Sequence, residues 1–190
     1  MVQRTAIHRR QVVYDAFVRD DGLFDLEGRL TDTRTYDSVD PDRRPIPTGR
    51  AVHDIVIAVT VTPELEITAI SSVMTHVPVP ECHDTQAVLQ RLVGKTMGRG
   101  WRKTINEAMG GVQGCTHMRE LLFNMATAAY QAVPIYVRFN PDDLEAPFRA
   151  DQPPPHLGQC MTWGLSSAPV KRAYPQFYIA PEPSTPQAQD

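Results

Sequence analysis

The sequence predicts an α+β fold, an antiparallel sheet with helices packed on one face, and three observations predict it. Alternating and β-branched stretches crowd the first eighty residues, stretches with helical spacing follow between residues 85 and 133, and a proline-rich tail comes last. A chain of 190 residues with 42% hydrophobic content is long enough for one such domain and its core.

The first strands form an N-terminal hairpin. Phe24, Leu26 and Leu30 alternate with Asp25, Glu27, Arg29 and Thr31, the pattern of a strand with one wet face. Asp20-Asp21-Gly22 supplies the turn before it, and Gln11 to Val18 supplies the partner strand. DSVDPDRRPIPTG, residues 37 to 49, has no apolar period and reads as an exposed loop. From His53, HDIVIAVTVTPELEITAISSVM gives two β-branched runs around Thr62-Pro63-Glu64, a second antiparallel hairpin.

Helices follow. Val88, Leu89, Leu92 and Val93 have helical spacing over residues 85 to 93, with Gly94 as the stop. A second helix carries Trp101, Ile105, Ala108 and Met109 and ends at Gly110-Gly111. A third presents Met118, Leu121, Leu122, Met125 and Ala129 on one face and stops at Pro134. Ten of the 17 prolines lie beyond Asn140, so this part is expected to wrap the surface without a core of its own, its rings Trp163, Tyr174, Phe177 and Tyr178 docking on the domain or a partner. The organisation is then a single domain over residues 1–140 and a proline-rich extension over 141–190, with about the last ten residues, ending STPQAQD, disordered.

A net charge of -3 and a pI near 6.1 argue against nucleic acid as a partner. No stretch is apolar enough to span a membrane and MVQRTAIHRRQVVYDAF lacks the apolar run of a signal peptide, so a cytoplasmic location is expected. Cys82, Cys115 and Cys160 are an odd number, which in a reducing compartment means thiols. The expected partner is a small molecule, and homo-oligomerisation stays open. P-loop, dinucleotide and serine-hydrolase motifs are all missing.

The candidate chemistry lies where loops enter regular structure. In GGVQGCTHMRELL three glycines turn the backbone ahead of Thr116, a suitable N-cap, and place Cys115 and His117 at the positive end of a helix, where a thiolate is favoured. Cys82 and His83 stand at another helix entrance, and His53-Asp54 opens the central hairpin. If these junctions meet, Cys82, Cys115 and either Asp54 or one of the histidines form a metal site of mixed ligands suited to zinc or another divalent ion. His53, His117 and Cys115 are the catalytic candidates and Asp54, Cys82 and Cys115 the candidate metal ligands. The simpler reading of each is a buried thiol, a strand-edge histidine or a turn carboxylate. The acidic run Asp20, Asp21, Asp25, Glu27 and Asp32 reads mainly as a solvated strand face paired with Arg10, Arg19, Arg29 or Arg34.

RDDGLFDLEGRLTDTRTYD, GRAVHD, LVGKTMGRGW and GGVQGCTHMRELL together resemble a bacterial family of unknown function marked by G-C-T-H-L-x-E-L-L, over about residues 10 to 133, with Met118 in place of the family's leucine. The resemblance implies association with small-molecule catabolism. A more distant similarity is to NifU-like iron-sulfur scaffold domains, in which three cysteines occupy the order taken here by His53-Asp54, Cys82 and Cys115; it implies a NifU-like sandwich. The first scaffold cysteine has no counterpart here. The expected function is a small-molecule catabolic enzyme, a lyase or proton-transfer enzyme acting on an aromatic or other small organic substrate. The alternative is a non-catalytic zinc or iron-sulfur carrier.

Overall fold

The computed structural model describes residues 2–139 and 141–181. The fold is α+β, as the sequence predicts. Strands β1 (His8–Val18), β2 (Phe24–Arg34), β5 (Ala51–Val61) and β6 (Ile67–His76) form one antiparallel sheet in the order β1-β2-β5-β6, and a short hairpin pairs β3 (Ser38–Val39) with β4 (Pro45–Ile46). A 3₁₀ helix (Pro80–Leu92) and helices α1 (Trp101–Met109) and α2 (Thr116–Val137) follow.

Alternation decides the faces of the sheet. On β2, Phe24, Leu26 and Leu30 are buried; opposite them on β5, Ile55, Ile57, Val59 and Val61 are buried as well. Leu92, Trp101, Ile105, Met118, Leu121 and Met125 complete the same apolar cluster from the helical side. Gly28 belongs to this buried face because a Cβ there would stand 2.7 Å from Met125 Cε and 2.9 Å from the Tyr14 ring. Tyr14 then donates its hydroxyl to the Leu121 carbonyl at 2.9 Å, tying β1 to α2. Trp101 is a packing residue whose buried indole N–H donates to the Leu122 carbonyl at 2.9 Å and so fastens α1 to α2.

Four expectations change. The loop over residues 37 to 49 contains the β3–β4 hairpin, held by Asp40 accepting from the Arg44 guanidinium and backbone, and by Asp37 accepting from Thr48. The first helix is a 3₁₀ run that begins at Pro80, where a proline fits the first turn, rather than at residue 85. Helix α2 continues to Val137 through Pro134, one lost hydrogen bond being tolerated while Val133 stays buried.

The fourth concerns the tail. The chain divides into compact units over Met1–Ile135 and Tyr136–Asp190, the boundary falling just behind Pro134. Within the second unit Leu157, Val170 and Tyr174 are buried together, with Trp163, Leu165, Phe177 and Tyr178 against them. Helix α3 (Ala168–Ala173) has Ser167 as its N-cap. This part therefore has a small core of its own, because its aromatic rings find one another. The STPQAQD ending, expected to be disordered, lies outside the described residues.

Candidate functional site

The centre of the site is a carboxylate that alternation forces inward. Asp32 shares the buried face of β2 with Phe24, Leu26 and Leu30 and is 2% exposed. A buried, unpaired carboxylate would cost several kcal/mol, so it must be matched by partners. Arg10, directly opposite on β1, donates Nε to Oδ1 and Nη2 to Oδ2, both at 2.8 Å, while its Nη1 reaches Glu120 of α2 at 3.1 Å. His8 Nε2 lies 3.2 Å from Oδ1. Burial pushes the Asp32 carboxyl up, but the Arg10 hydrogen bonds and charge, with help from His53 and His8, outweigh it and hold the group below its ordinary value. It is a carboxylate at neutral pH.

Two imidazoles stand on its other side. His53 faces Asp32 across the β2–β5 pair, Nδ1 at 3.1 Å from Oδ2, beside a register shift between Asp32 and Thr33. His117, in the first turn of α2, places Nε2 3.9 Å from the same oxygen, and the two rings are 3.9 Å apart centre to centre. The approach of His53 to Oδ2 lacks hydrogen-bond geometry, so its buried Nδ1 has no hydrogen-bond partner among the described residues. Burial first, then the His117 ring, depress the pKa of His53 against the pull of Asp32, so the ring is neutral at neutral pH.

Cys115 completes the cluster. Its carbonyl accepts from the Arg119 N–H at 3.0 Å, which makes Cys115, rather than Thr116, the residue at the helix entrance. Its Sγ is 3.9 Å from His117 Nδ1. Burial raises the thiol pKa, but the His117 ring and the N–H groups of Met118 and His117 at the head of α2 prevail, leaving it below its ordinary value. Gly114 is required here by space: a Cβ would stand 2.6 Å from the Met109 carbonyl oxygen and 2.7 Å from its Cβ.

Of the residues singled out in the sequence, His53, His117 and Cys115 therefore stand together. Asp54 does not stand with them. One step along β5 from His53, it points to the opposite face, where Arg29 donates Nε and Nη2 to its two oxygens at 2.9 and 2.8 Å. Cys82 sits in the first turn of the 3₁₀ helix, half-buried against the core; its carbonyl accepts from Thr85, whose hydroxyl also reaches Met118 Sδ at 3.4 Å. Among the described residues, the group of three or more ligand types that converges is Asp32, His53 and His117, with ligand atoms all within 4.8 Å of one another. It could hold a metal ion, and it contains neither Asp54 nor a cysteine. All three cysteines are free.

Residues 8–131, well over half of the chain, match the family described as a protein of unknown function (DUF2889). The chain belongs to that family. No curated protein and no solved structure matches it. The DUF2889 region starts at His8 and runs past Glu120, so it contains every member of the cluster.

Asp32, Arg10, His8 and Glu120 are not among the site residues that the sequence points to. Asp32 carries a signal all the same: it is in phase with Phe24, Leu26 and Leu30, and an acid in phase with a buried face is not a solvated one. Asp25 is better described by the solvated reading, since its carboxylate accepts from Arg19 and Thr60.

Proposed function

We propose that this protein is an enzyme of small-molecule catabolism that moves protons on a small organic substrate, in the manner of a lyase, with His53 as the base. The observation that carries this is the pairing of two imidazoles, 3.9 Å apart, beside one buried carboxylate. Burial first, and then the neighbouring His117 ring, lower the pKa of His53 and keep it neutral. A neutral imidazole next to a fixed carboxylate is suited to accept a proton near neutral pH. His117, between the Cys115 thiol and Asp32, is suited to return one. The setting proposed is cytoplasmic, in keeping with three free thiols. No helix among the described residues is long and apolar enough to cross a membrane.

A second reading, a bound divalent metal such as zinc, is favoured by one feature, the orphaned Nδ1 of His53. Ligand atoms bound about 2.1 Å from one ion lie about 3–4 Å apart, close to the spacing here. Each oxygen of Asp32 has two lone pairs and Arg10 takes one, which leaves capacity for a metal. His53, His117 and Asp32 would hold the ion, which would supply Lewis-acid chemistry. A zinc or iron-sulfur carrier of the scaffold type has less support, since its usual thiolate ligands are not in the converging group.

Hydrogen exchange tests the leading reading whatever the product is. Small aromatic and aliphatic acids and ketones would be incubated with the protein in D₂O and watched by NMR for exchange of carbon-bound hydrogen. Exchange should be catalysed by the native protein and fall by roughly 10²–10⁴ in His53→Gln. Equal exchange by the variant would remove His53 as the base. Elemental analysis of protein purified without a histidine tag tests the metal, which should be present in equimolar amount and lost in His117→Ala.

A further inference from the structure

The first unit also holds a cavity whose lining includes none of Asp32, His53 and His117. It measures about 380 Å³ and opens between the β3–β4 hairpin, the start of β5, the end of β6 and the entrance to the 3₁₀ helix. That volume is at the lower end of the range for small-molecule pockets, enough for a single-ring compound and small for a nucleotide cofactor. We propose that this groove binds a small organic carboxylate with a flat apolar body, such as a single-ring aromatic acid.

The charges point to an anion. Arg50 lines the cavity, is exposed, and has no carboxylate partner among the described residues. His76 lines it too, and its Nδ1 is buried without a hydrogen-bond partner. The cavity is reached by the exposed part of the His76 ring, which offers a polar edge to a ligand oxygen. His83 adds a third nitrogen-bearing group. The acid on the lining, Asp40, is already neutralised by the Arg44 guanidinium at 2.6 Å. Nearby Asp54, paired across the strands with His76, has both oxygens engaged by Arg29. What is left for a ligand is a cation, Arg50, on a lining that also carries the His76 and His83 imidazoles.

Apart from Thr75, the rest of the lining is apolar. Ile46, Val52 and Val77 supply branched side chains and Pro80 a rigid ring face. Such walls favour a ring over a hydrated inorganic ion, because burying the ring removes apolar surface from water. An arginine on the same lining as apolar walls can hold the carboxylate while the ring is desolvated. This site does not depend on the chemistry proposed for His53, since it uses other residues and is read by binding alone.

Calorimetric titration with benzoate, benzamide, acetate and inorganic phosphate tests it on the full chain. Benzoate should bind saturably at one site, and benzamide, acetate and phosphate should each bind roughly tenfold or more weakly, because each lacks the ring or the carboxylate. Arg50→Gln, at an exposed position without an ion pair, should keep the native thermal transition and weaken benzoate by roughly tenfold or more. His76→Leu should weaken it as well. No benzoate binding, undiminished binding to Arg50→Gln, or phosphate and acetate binding as well as benzoate would each overturn the assignment.

Discussion

Asp32 and His53 stand opposite each other on β2 and β5 with Oδ2 3.1 Å from Nδ1, yet no hydrogen bond joins them. The contact is therefore one of proximity between a carboxylate and a neutral ring, whose Nδ1 stays without a hydrogen-bond partner among the described residues. Arg10 supplies the hydrogen bonds that keep the carboxylate ionised, so the histidine is not needed for that purpose. A site is left in which structural pairing and chemical capacity are carried by different residues.

That division predicts how Asp32→Asn behaves. The amide keeps the shape and one acceptor oxygen but cannot accept the second hydrogen bond from Arg10, and it leaves Glu120 as the carboxylate partner of that guanidinium. Because Arg10 is 37% exposed, water compensates part of the loss, and the expected cost is about 1–3 kcal/mol. Asp54→Asn, whose partner Arg29 is more exposed, should cost less. Urea unfolding of the two variants checks the order; equal or reversed losses would refute it.

The depressed pKa of His53 sets a pH dependence with a definite sign. Above the ordinary value of 6.5 the ring is neutral both folded and unfolded, and it contributes nothing to the slope. As pH falls below 6.5 the unfolded chain takes the proton first, so stability drops until the lower, folded value is passed. Asp32 acts in a lower window, its contribution being lost as pH falls from the ordinary carboxylate range through a folded value beneath it. Stability measured from pH 8 to pH 5 should therefore fall more steeply for the native protein than for His53→Gln. Parallel curves would contradict the assignment.

The sheet was legible because burial on one side leaves an alternating record: Phe24, Leu26 and Leu30 mark β2, and the β-branched runs mark β5 and β6. His53, His117 and Cys115 were legible as candidates because they sit at entrances to strands and helices. Asp54 illustrates what was not. Next to His53 in sequence it looks like a neighbour, but a strand sends consecutive side chains to opposite faces, and only the pairing of β5 with β2 shows that the carboxylate beside His53 is Asp32. Arg10 was legible as one of four arginines that could pair with the acidic run, but not as the partner of Asp32, since that bond depends on the register of β1, which its exposed residues do not reveal. The second core failed to appear because its aromatic residues have no period and gather across loops.

Gly114 makes a steric prediction. Its backbone is extended, which any residue adopts, so conformational freedom is not the reason for glycine here. Space is the reason, because an added methyl would meet the backbone oxygen of Met109, which cannot swing aside as a side-chain end can. Gly114→Ala should cost about 1–3 kcal/mol and shift the entrance of α2 that carries Cys115 and His117. Gly28→Ala meets the flexible end of Met125 along with the Tyr14 ring and should cost less. Thermal denaturation of both variants tests the ranking, and a shift of the His117 imidazole resonances in Gly114→Ala tests the displacement.

Cys115 offers a direct reading of the electrostatics at that entrance. Burial alone would raise its pKa, and the His117 ring with the two N–H groups at the head of α2 reverses the outcome. In a protein whose other two cysteines are changed to serine, the rate of alkylation by iodoacetamide should rise with pH along a titration whose midpoint lies below that of an ordinary thiol. Replacing His117 by Gln removes the ring contact and leaves the burial less opposed, so the midpoint should move upward while the N–H groups retain part of the effect. Asp32→Asn should move it less, because no contact joins that carboxylate to the sulfur and its influence passes through the position of His117, 3.9 Å away. A midpoint unchanged by His117→Gln would mean that the helix entrance alone sets the thiol, and His117 would then be free to act only on the side of Asp32.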